Sequence, residues 1–328
     1  MAVLVTGGAG YIGSHTVVEL LEKNEEVVVL DNLKKGHKQA VLGGKFYHGD
    51  LRDDQFLDKV FKENDIEAVV HFAAYSLVGE SVINPADYYN NNVVSTLRLL
   101  TKMKDSGVKK IVFSSTAATY GEPESIPIQE DDKTAPTNPY GETKLAVEKA
   151  LRWFDSAYDM KYVSLRYFNA AGAHTSGKIG EDHNPETHLI PIIMQVATGR
   201  RDKVQVFGDD YNTPDGTCIR DYIHVTDLAN AHIAALERLR AGEESGIYNL
   251  GNGKGFSVKE VLTTVEEVVG RKINYEIAPR RPGDPAMLVA SSEKIMKELR
   301  WNPKFNKLET IVETAWKWHS EHPNGFEK

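Results

Sequence analysis

Val3-Leu4-Val5-Thr6-Gly7-Gly8-Ala9-Gly10-Tyr11-Ile12-Gly13 decides the fold of this chain. A continuous apolar run meets a glycine cluster, and a helical pattern follows in Val17, Val18, Leu20 and Leu21. The combination predicts a buried parallel strand, a tight turn and a helix whose N-terminus faces an anion. Gly8, Gly10 and Gly13 match the G-x-G-x-x-G spacing of dinucleotide-binding turns. Glycine there removes the Cβ that would hold a pyrophosphate off the backbone N–H groups, and the last one lets helix and strand pack closely. The spacing by itself also fits an ordinary glycine turn. Context separates the two, because a second apolar strand, Val27-Val28-Val29-Leu30, ends in Asp31, near the spacing at which an acidic side chain meets a ribose 2′-hydroxyl.

Outward from this stretch, strand and helix signals alternate. A helix at about 53–64 precedes the apolar strand Glu67–Ala74, and a long helical pattern at about 86–106 carries Val93, Val94, Leu97, Leu100 and Met103. Lys109–Ser115 reads as another buried strand, a helix starts near Pro139, and Tyr162–Tyr167 is a further strand. Strands separated by helices imply an α/β fold with a parallel, doubly wound sheet of Rossmann type. Thr6, Asp31, Ala73, Ser114 and Asn169 then end their strands in small or polar residues around one crevice, where ligands of such sheets lie. Beyond residue 172 the pattern loosens. Gly172–Asn184 reads as a loop over the site. A short helix (Leu189–Thr198), a strand (Val204–Phe207), a loop (Gly208–Thr217), an amphipathic helix at about 226–240 and a helix beginning at Ser257 follow. The expected organisation is a dinucleotide-binding domain over 1–172, with segments near 217–245 returning to it, and a smaller α/β substrate domain over 173–328.

Composition narrows the class. The 328 residues are 41% hydrophobic and 26% charged, as in soluble globular proteins. A net charge of −8 argues against a nucleic-acid partner. Cys218 is the lone cysteine, so an intramolecular disulfide is impossible and a reducing compartment is expected. No apolar run reaches membrane-spanning length, and Met1 leads straight into the first strand. The expectation is a complete, cytoplasmic chain with no membrane contact.

The chemistry starts at Tyr140-Gly141-Glu142-Thr143-Lys144. Residues i and i+4 share a helix face, so a phenol and an ammonium can point into one cleft. A nearby cation stabilises phenolate and brings Tyr toward use as a general base. Thr116, just past the strand at Ile111–Ser115, offers a hydroxyl to bridge Tyr140 and a substrate hydroxyl. Taken alone, Tyr-x-x-x-Lys also fits a surface helix pair; the upstream glycine fingerprint and the Ser/Thr-rich strand end favour the functional reading. Arg220 alone reads equally as an ion-pair partner of Asp221.

These residues together resemble the extended short-chain dehydrogenase/reductases, in their nucleotide-sugar epimerase branch. The likeness rests on Thr6–His15, Asp31-Asn32, Asp50-Leu51, His71–Ala74, Val78–Ser81, Tyr88–Val93, Phe113–Gly121, Pro139–Lys144, Leu165–Gly172, Gly208–His224 and Arg281–Asp284, and spans essentially the whole chain. It implies NAD held by Gly7, Gly10, Tyr11, Ile12, Asp31, Asn32, Asp50, Leu51, Phe72, Ala73, Ala74, Asn91, Ser114, Tyr140, Lys144 and Tyr167. Thr116, Tyr140 and Lys144 would be catalytic. A UDP-hexose would lie against Thr116, Tyr140, Asn169, His188, Leu189, Val206, Phe207, Arg220, Tyr222, Arg281, Asp284 and Leu288. The chemistry agrees: Arg220 and Arg281 suit a pyrophosphate, Phe207 a uracil ring and Asp284 ribose hydroxyls. The implied reaction interconverts UDP-glucose and UDP-galactose by transient oxidation at carbon 4. The implied assembly is a homodimer built on the helices near 86–106 and 139–156. Leu288 aligns with a gate that is Tyr in the strict glucose/galactose enzymes, so N-acetylated hexoses are within the implied range. Thr116 stands where many relatives have Ser, Ser76 where some have Lys, and His188 where others carry Asn.

Rival readings differ at particular side chains. A nucleotide-sugar 4,6-dehydratase needs Asp-Glu just after the Thr, and here those positions are Ala117 and Ala118. A uronate epimerase needs a cationic pocket for the sugar carboxylate, which the sequence does not identify. NADP is disfavoured because the Asp31 carboxylate repels a 2′-phosphate. A non-catalytic NAD-binding sensor would not need the Thr116–Tyr140–Lys144 set. No H-x-x-x-H or Cys/His grouping is present among the eleven histidines, so no metal site is expected.

Overall fold

The computed structural model describes residues 1–281 and 284–326. The strands of its first half are β1 (Ala2–Thr6), β2 (Val27–Asp31), β3 (Lys45–His48), β4 (Ile66–His71), β5 (Lys110–Ser114), β6 (Lys161–Tyr167) and β7 (Asn169–Ala171). The second half adds β8 (Val204–Phe207), β9 (Ile219–Arg220), β10 (Tyr222–His224), β11 (Gly246–Leu250), β12 (Phe256–Ser257), β13 (Tyr275–Ala278) and β14 (Met287–Leu288). Seven strands form one parallel sheet in the order β11-β6-β5-β4-β1-β2-β3. This is the doubly wound order, in which the chain reverses direction of growth between β1 and β4 and opens a crevice at their carboxyl ends.

The continuous apolar runs follow from burial on both faces. Val3 and Val5 of β1 join one core with Val27, Val29 and the helix Val225–Arg240. Ala2 and Leu4 join the other with Val28, Leu30, Leu99 and Leu100. A third core fills the second half, where Val204 and Val206 meet Ile190, Ile193, Val261, Leu308 and Ile311. Among the described residues, no helix is long and apolar enough to cross a membrane.

Two sequence expectations change. The return to the large sheet does not stop near 245, because Gly246–Leu250 pairs with β6 as its seventh strand. The predicted helix over about 86–106 is three pieces: a turn of helix at Pro85–Tyr88, a π-helical turn at Tyr89–Val94, and the helix Ser95–Asp105. Asn92 explains the break. Its buried side chain donates to Tyr75 O at 3.0 Å and accepts from Tyr75 N at 2.8 Å, so the widened turn satisfies a loop backbone.

Candidate active site

The glycine turn follows β1, and Gly7 is its left-handed residue, with φ of 71°. A Cβ on Gly7 would stand 2.6 Å from Ala73 N, and one on Gly13 would stand 2.2 Å from Gly7 O. Backbone therefore approaches backbone at Gly7 and Gly13, and a Cβ on Gly8 would stand 2.7 Å from Val29 Cγ1, so positions 7, 8 and 13 are the closely packed ones. Gly10 differs: the nearest atom to its added Cβ is Gly7 O at 3.3 Å, so that position faces the crevice. Gly10 also precedes the helix Tyr11–Glu22, which has no side-chain cap and no acidic residue in its first turn. The first N–H groups, at Tyr11 and Ile12, are thereby left for an anion.

The acid at the end of β2 is held by backbone N–H groups. Asp31 is buried and accepts from Ala9 N at 3.0 Å and Leu33 N at 2.8 Å; burial raises its pKa against both bonds. Asn32, just after β2, donates through Nδ2 to Asp50 after β3 at 2.9 Å, and Arg52 grips the same carboxylate through Nε at 2.8 Å and a terminal nitrogen at 2.7 Å. That guanidinium holds Asp50 well below the usual carboxylate range. Leu51 is buried beside it. Phe72, Ala73 and Ala74 follow β4, with Phe72 N and Ala73 N both donating to Thr6 O. Asn91 lies in the π turn, next to Asn92. A dinucleotide needs an open glycine backbone, an uncapped helix start and a buried acid at the end of the next strand. All three are present, and the chain fits NAD.

Tyr140 is the second residue of the helix Pro139–Tyr158, whose start is fixed by Asn138 accepting from Gly141 N at 2.9 Å. A Cβ on Gly141 would lie 2.5 Å from Ala118 O, so only glycine lets this helix press against the turn after Thr116. Thr116 itself caps that turn, accepting from Ala118 N at 3.2 Å. Burial pushes the Tyr140 phenol up to about 12, and its hydrogen bond with Thr116 pulls the other way. Burial brings the Lys144 ammonium down to about 7, against the opposing pull of Glu148. Lys144 Nζ donates to Ser114 O at 2.7 Å and lies 5.9 Å from the centre of the Tyr140 ring. The expected lowering of the phenol by its ammonium is thus not produced by the protein groups alone. Ser114 Oγ and the Tyr167 hydroxyl share a hydrogen bond of 2.6 Å, closing the strand ends of β5 and β6 around the same point.

Sequence reasoning missed what stands behind this set. Ser115 Oγ donates to Glu148 at 2.5 Å, and Glu148 holds Arg166 through two bonds of 3.0 and 2.6 Å. Both charged groups are buried, Glu148 one helical turn beyond Lys144 and Arg166 on β6. The i+4 spacing of Lys144 and Glu148 on one helix was the signal available.

The second half brings most of the residues expected there together through short strands. β10 pairs with β7, and Asn169 donates from its backbone and side chain to Asp221 O. β9 pairs with β14, which sets Leu288 opposite Arg220. Arg220 forms its ion pair with Asp284 rather than with its neighbour Asp221. Asp221 is fully buried and accepts instead from Asn252 N at 2.6 Å, Ala290 N at 3.1 Å and Gly253 N at 3.2 Å. The Arg281 guanidinium covers the Phe207 ring at 3.9 Å. Tyr222 is buried in β10, and Val206 faces the third core from β8, which pairs with β13. His188 stands at the N-cap position of the helix that begins at Leu189, with no side-chain bond to its first turn. Burial lowers its pKa, but Glu181 and Glu186 outweigh this and hold it up at about 10.

The expectation that no histidine grouping has ligand geometry needs correcting. Glu181, His183, Glu186 and His188 bring their ligand-type atoms within 4.8 Å of one another. The signal was a contiguous E-x-H-x-x-E-x-H stretch, which a search for helical H-x-x-x-H spacing passes over.

Residues 3–251 match the model of the NAD dependent epimerase/dehydratase family. The chain is 65% identical to the UDP-glucose 4-epimerase of Halalkalibacterium halodurans, over 99% of this chain and 98% of that one. Its fold matches the UDP-glucose 4-epimerase of Bifidobacterium longum, solved in complex with NAD+ and UDP. That match has a TM-score of 0.94 and 45% identity, over 99% of this chain and 100% of that one. It also matches the UDP-Glc/GlcNAc 4-epimerase of Campylobacter jejuni, with a TM-score of 0.86 and 45% identity, over 98% and 99%. The chain therefore belongs to the NAD dependent epimerase/dehydratase family, within the UDP-glucose 4-epimerases of the extended short-chain dehydrogenase/reductases.

Proposed function

We propose that this chain interconverts UDP-glucose and UDP-galactose, an isomerase reaction of galactose metabolism that passes through a 4-keto sugar. The observation that carries the reading is the convergence of Tyr140, Thr116 and Lys144 at the carboxyl end of β5. NAD is held by the glycine turn, Asp31, Asn32, Asp50, the Phe72–Ala74 segment, Asn91, Ser114, Lys144 and Tyr167. When bound, it supplies the hydride acceptor and donor for carbon 4 and, oxidised, a positive charge that favours phenolate. Tyr140 removes the proton of the 4-hydroxyl, directly or through Thr116, and returns it to the product. Lys144, held by Ser114 O, keeps a cation beneath the phenol.

The UDP half stays anchored while the hexose turns. Arg220 and Arg281 supply the cations for the pyrophosphate, Phe207 stacks with uracil, and Asp284 and Asn169 accept and donate to hydroxyls. His188, Leu189, Tyr222 and the backbone of Val206 complete the pocket. Leu288 leaves space beside the hexose, which extends the reading to UDP-GlcNAc and UDP-GalNAc. The cofactor belongs to residues 1–172 with the returning segment through Leu250, and the UDP-sugar to the remainder of 173–328. We assign the chain to the cytoplasm, consistent with the buried free thiol of Cys218. A homodimer is supported by exposed apolar residues on the relevant helices, Val94, Leu97 and Trp153.

Incubation of the purified protein with UDP-galactose, without added NAD, tests the reading. UDP-glucose should form, and denaturation should release NAD. Absence of both overturns it.

A further inference from the structure

We propose that Glu181, His183, Glu186 and His188 form a structural zinc site that pins the loop after β7 against the glycine turn. The set is chemically apt: two imidazoles and two carboxylates are zinc ligands, while imidazole disfavours the all-oxygen shells of calcium and magnesium. The spacing is apt as well. Ligands about 2.0–2.1 Å from a tetrahedral zinc lie roughly 3.3 Å from each other. Here His188 Nδ1 is 2.9 Å from Glu181 Oε1 and 3.0 Å from Glu186 Oε1. His183 Nδ1 is 3.2 Å from Glu181 Oε1 and 3.7 Å from Glu186 Oε2. These four separations bracket the tetrahedral value, with Glu186 offering a different oxygen to each histidine.

A second observation concerns how the same ring is satisfied. His183 Nδ1 is sealed from solvent, on a side chain 25% exposed, and although it stands 3.2 Å from Glu181 Oε1 it makes no well-aligned hydrogen bond among the described residues. A buried ring nitrogen facing two carboxylates without an aligned donor–acceptor bond is placed as a metal ligand would be. Both carboxylate side chains are only 4% exposed, whereas His188 is 41% exposed, so an ion could enter past that ring. The surroundings fix the loop as a metal ligand shell requires. Trp318 Nε1 donates to Glu181 O at 3.2 Å, Glu186 Oε1 accepts from His188 N at 2.8 Å, and the Tyr11 ring meets His183 edge-on at 6.2 Å. Tyr11 also donates to Gly172 O at 2.6 Å, so an ion here would join both ends of the 172–188 loop to the dinucleotide turn. The competing arrangement is a pair of imidazolium ions neutralised by the two carboxylates, with no metal.

The test is metal content and thermal stability of the whole protein after chelator treatment and titration with zinc chloride. Wild type should take up a single equivalent per chain, and zinc a hundredfold above its Kd should raise the melting temperature by about 5 °C. His183→Ala should lose both effects. Binding and stabilisation that persist unchanged in that variant would mean adventitious zinc, and absence of stoichiometric uptake by wild type would leave the imidazolium arrangement; either overturns the proposal. Cobalt titration of wild type reads the same site without a variant. Tetrahedral visible bands with no thiolate charge transfer are expected, and six-coordinate cobalt would contradict the geometry.

Discussion

Lys144 gives its hydrogen bond to the carbonyl of Ser114 at 2.7 Å, and its ammonium stands off the Tyr140 ring centre by 5.9 Å. No hydrogen bond joins this ammonium to the phenol among the described residues. Tyr140→Phe removes the proton-transfer atom and leaves that cation, the strand ends and the UDP pocket in place. Turnover of UDP-galactose should fall by about 10²–10⁴-fold, the span of general acid–base catalysis. UDP affinity, read by calorimetry, should stay within about threefold. A variant that keeps its turnover would remove Tyr140 from the proton path.

Lys144 is buried, and burial brings its pKa down to about 7 from the ordinary lysine value. A lysine whose folded-state pKa is lowered costs stability while the folded chain must carry its charge. That cost is full below about pH 7 and shrinks as pH rises toward the unfolded value of about 10.4. Lys144→Met should therefore abolish epimerisation while raising the melting temperature of the NAD-free chain by a few degrees at pH 6.5. Its advantage over wild type should narrow at pH 9. An advantage that grows with pH would reverse the sign of the argument.

Much of the cofactor side was legible because it is local. Val3–Gly13 encodes strand, turn and helix start within one stretch, and Asp31 ends the next strand by alternation alone. What escaped depends on distant partners. β11 is a five-residue strand whose place beside β6 is set by pairing across about eighty residues of chain, which no periodicity reports. Arg220 had an acidic neighbour in Asp221, yet the strand turns that neighbour inward to three backbone N–H groups and leaves Arg220 for Asp284. The π turn at Tyr89–Val94 was hidden for a related reason, since Asn92 serves the backbone of Tyr75 and Thr143 of another helix.

Glycines of one motif should respond differently. Gly13→Ala drives a Cβ to 2.2 Å from Gly7 O, a clash between backbones that only displacement of the helix relieves. Loss of both NAD retention and several degrees of melting temperature is expected. Gly10→Ala meets only Gly7 O at 3.3 Å and projects into the crevice. It should keep the melting temperature of the NAD-free chain within about 2 °C while releasing the dinucleotide on gel filtration. Equal effects of the two substitutions on stability would contradict the close backbone approach assigned to Gly13 and the open setting assigned to Gly10.

Glu148 and Arg166 are a buried ion pair sharing two hydrogen bonds. Removing one partner strands the other charge away from water, at a cost of about 3–5 kcal/mol. Arg166→Met alone should show that loss in urea unfolding. Glu148→Gln with Arg166→Met together should recover at least half of it, because no lone charge remains buried. Ser115 and the field at Lys144 both depend on Glu148, so the double variant should also turn over more slowly than its stability predicts.

Leu288 lies in β14 opposite Arg220, where the hexose end of the pocket is proposed. Leu288→Tyr adds a ring to that position without changing the strand pairing, since tyrosine suits a strand and Leu288 is only partly buried. Turnover of UDP-N-acetylgalactosamine should drop by about tenfold or more, the scale on which pocket size discriminates an added group. Turnover of UDP-galactose should change by less than about threefold, because its smaller 2-hydroxyl does not reach the gate. Equal losses on both substrates would mean that the ring disturbs Arg220 and the pyrophosphate instead, and KM for both would rise together.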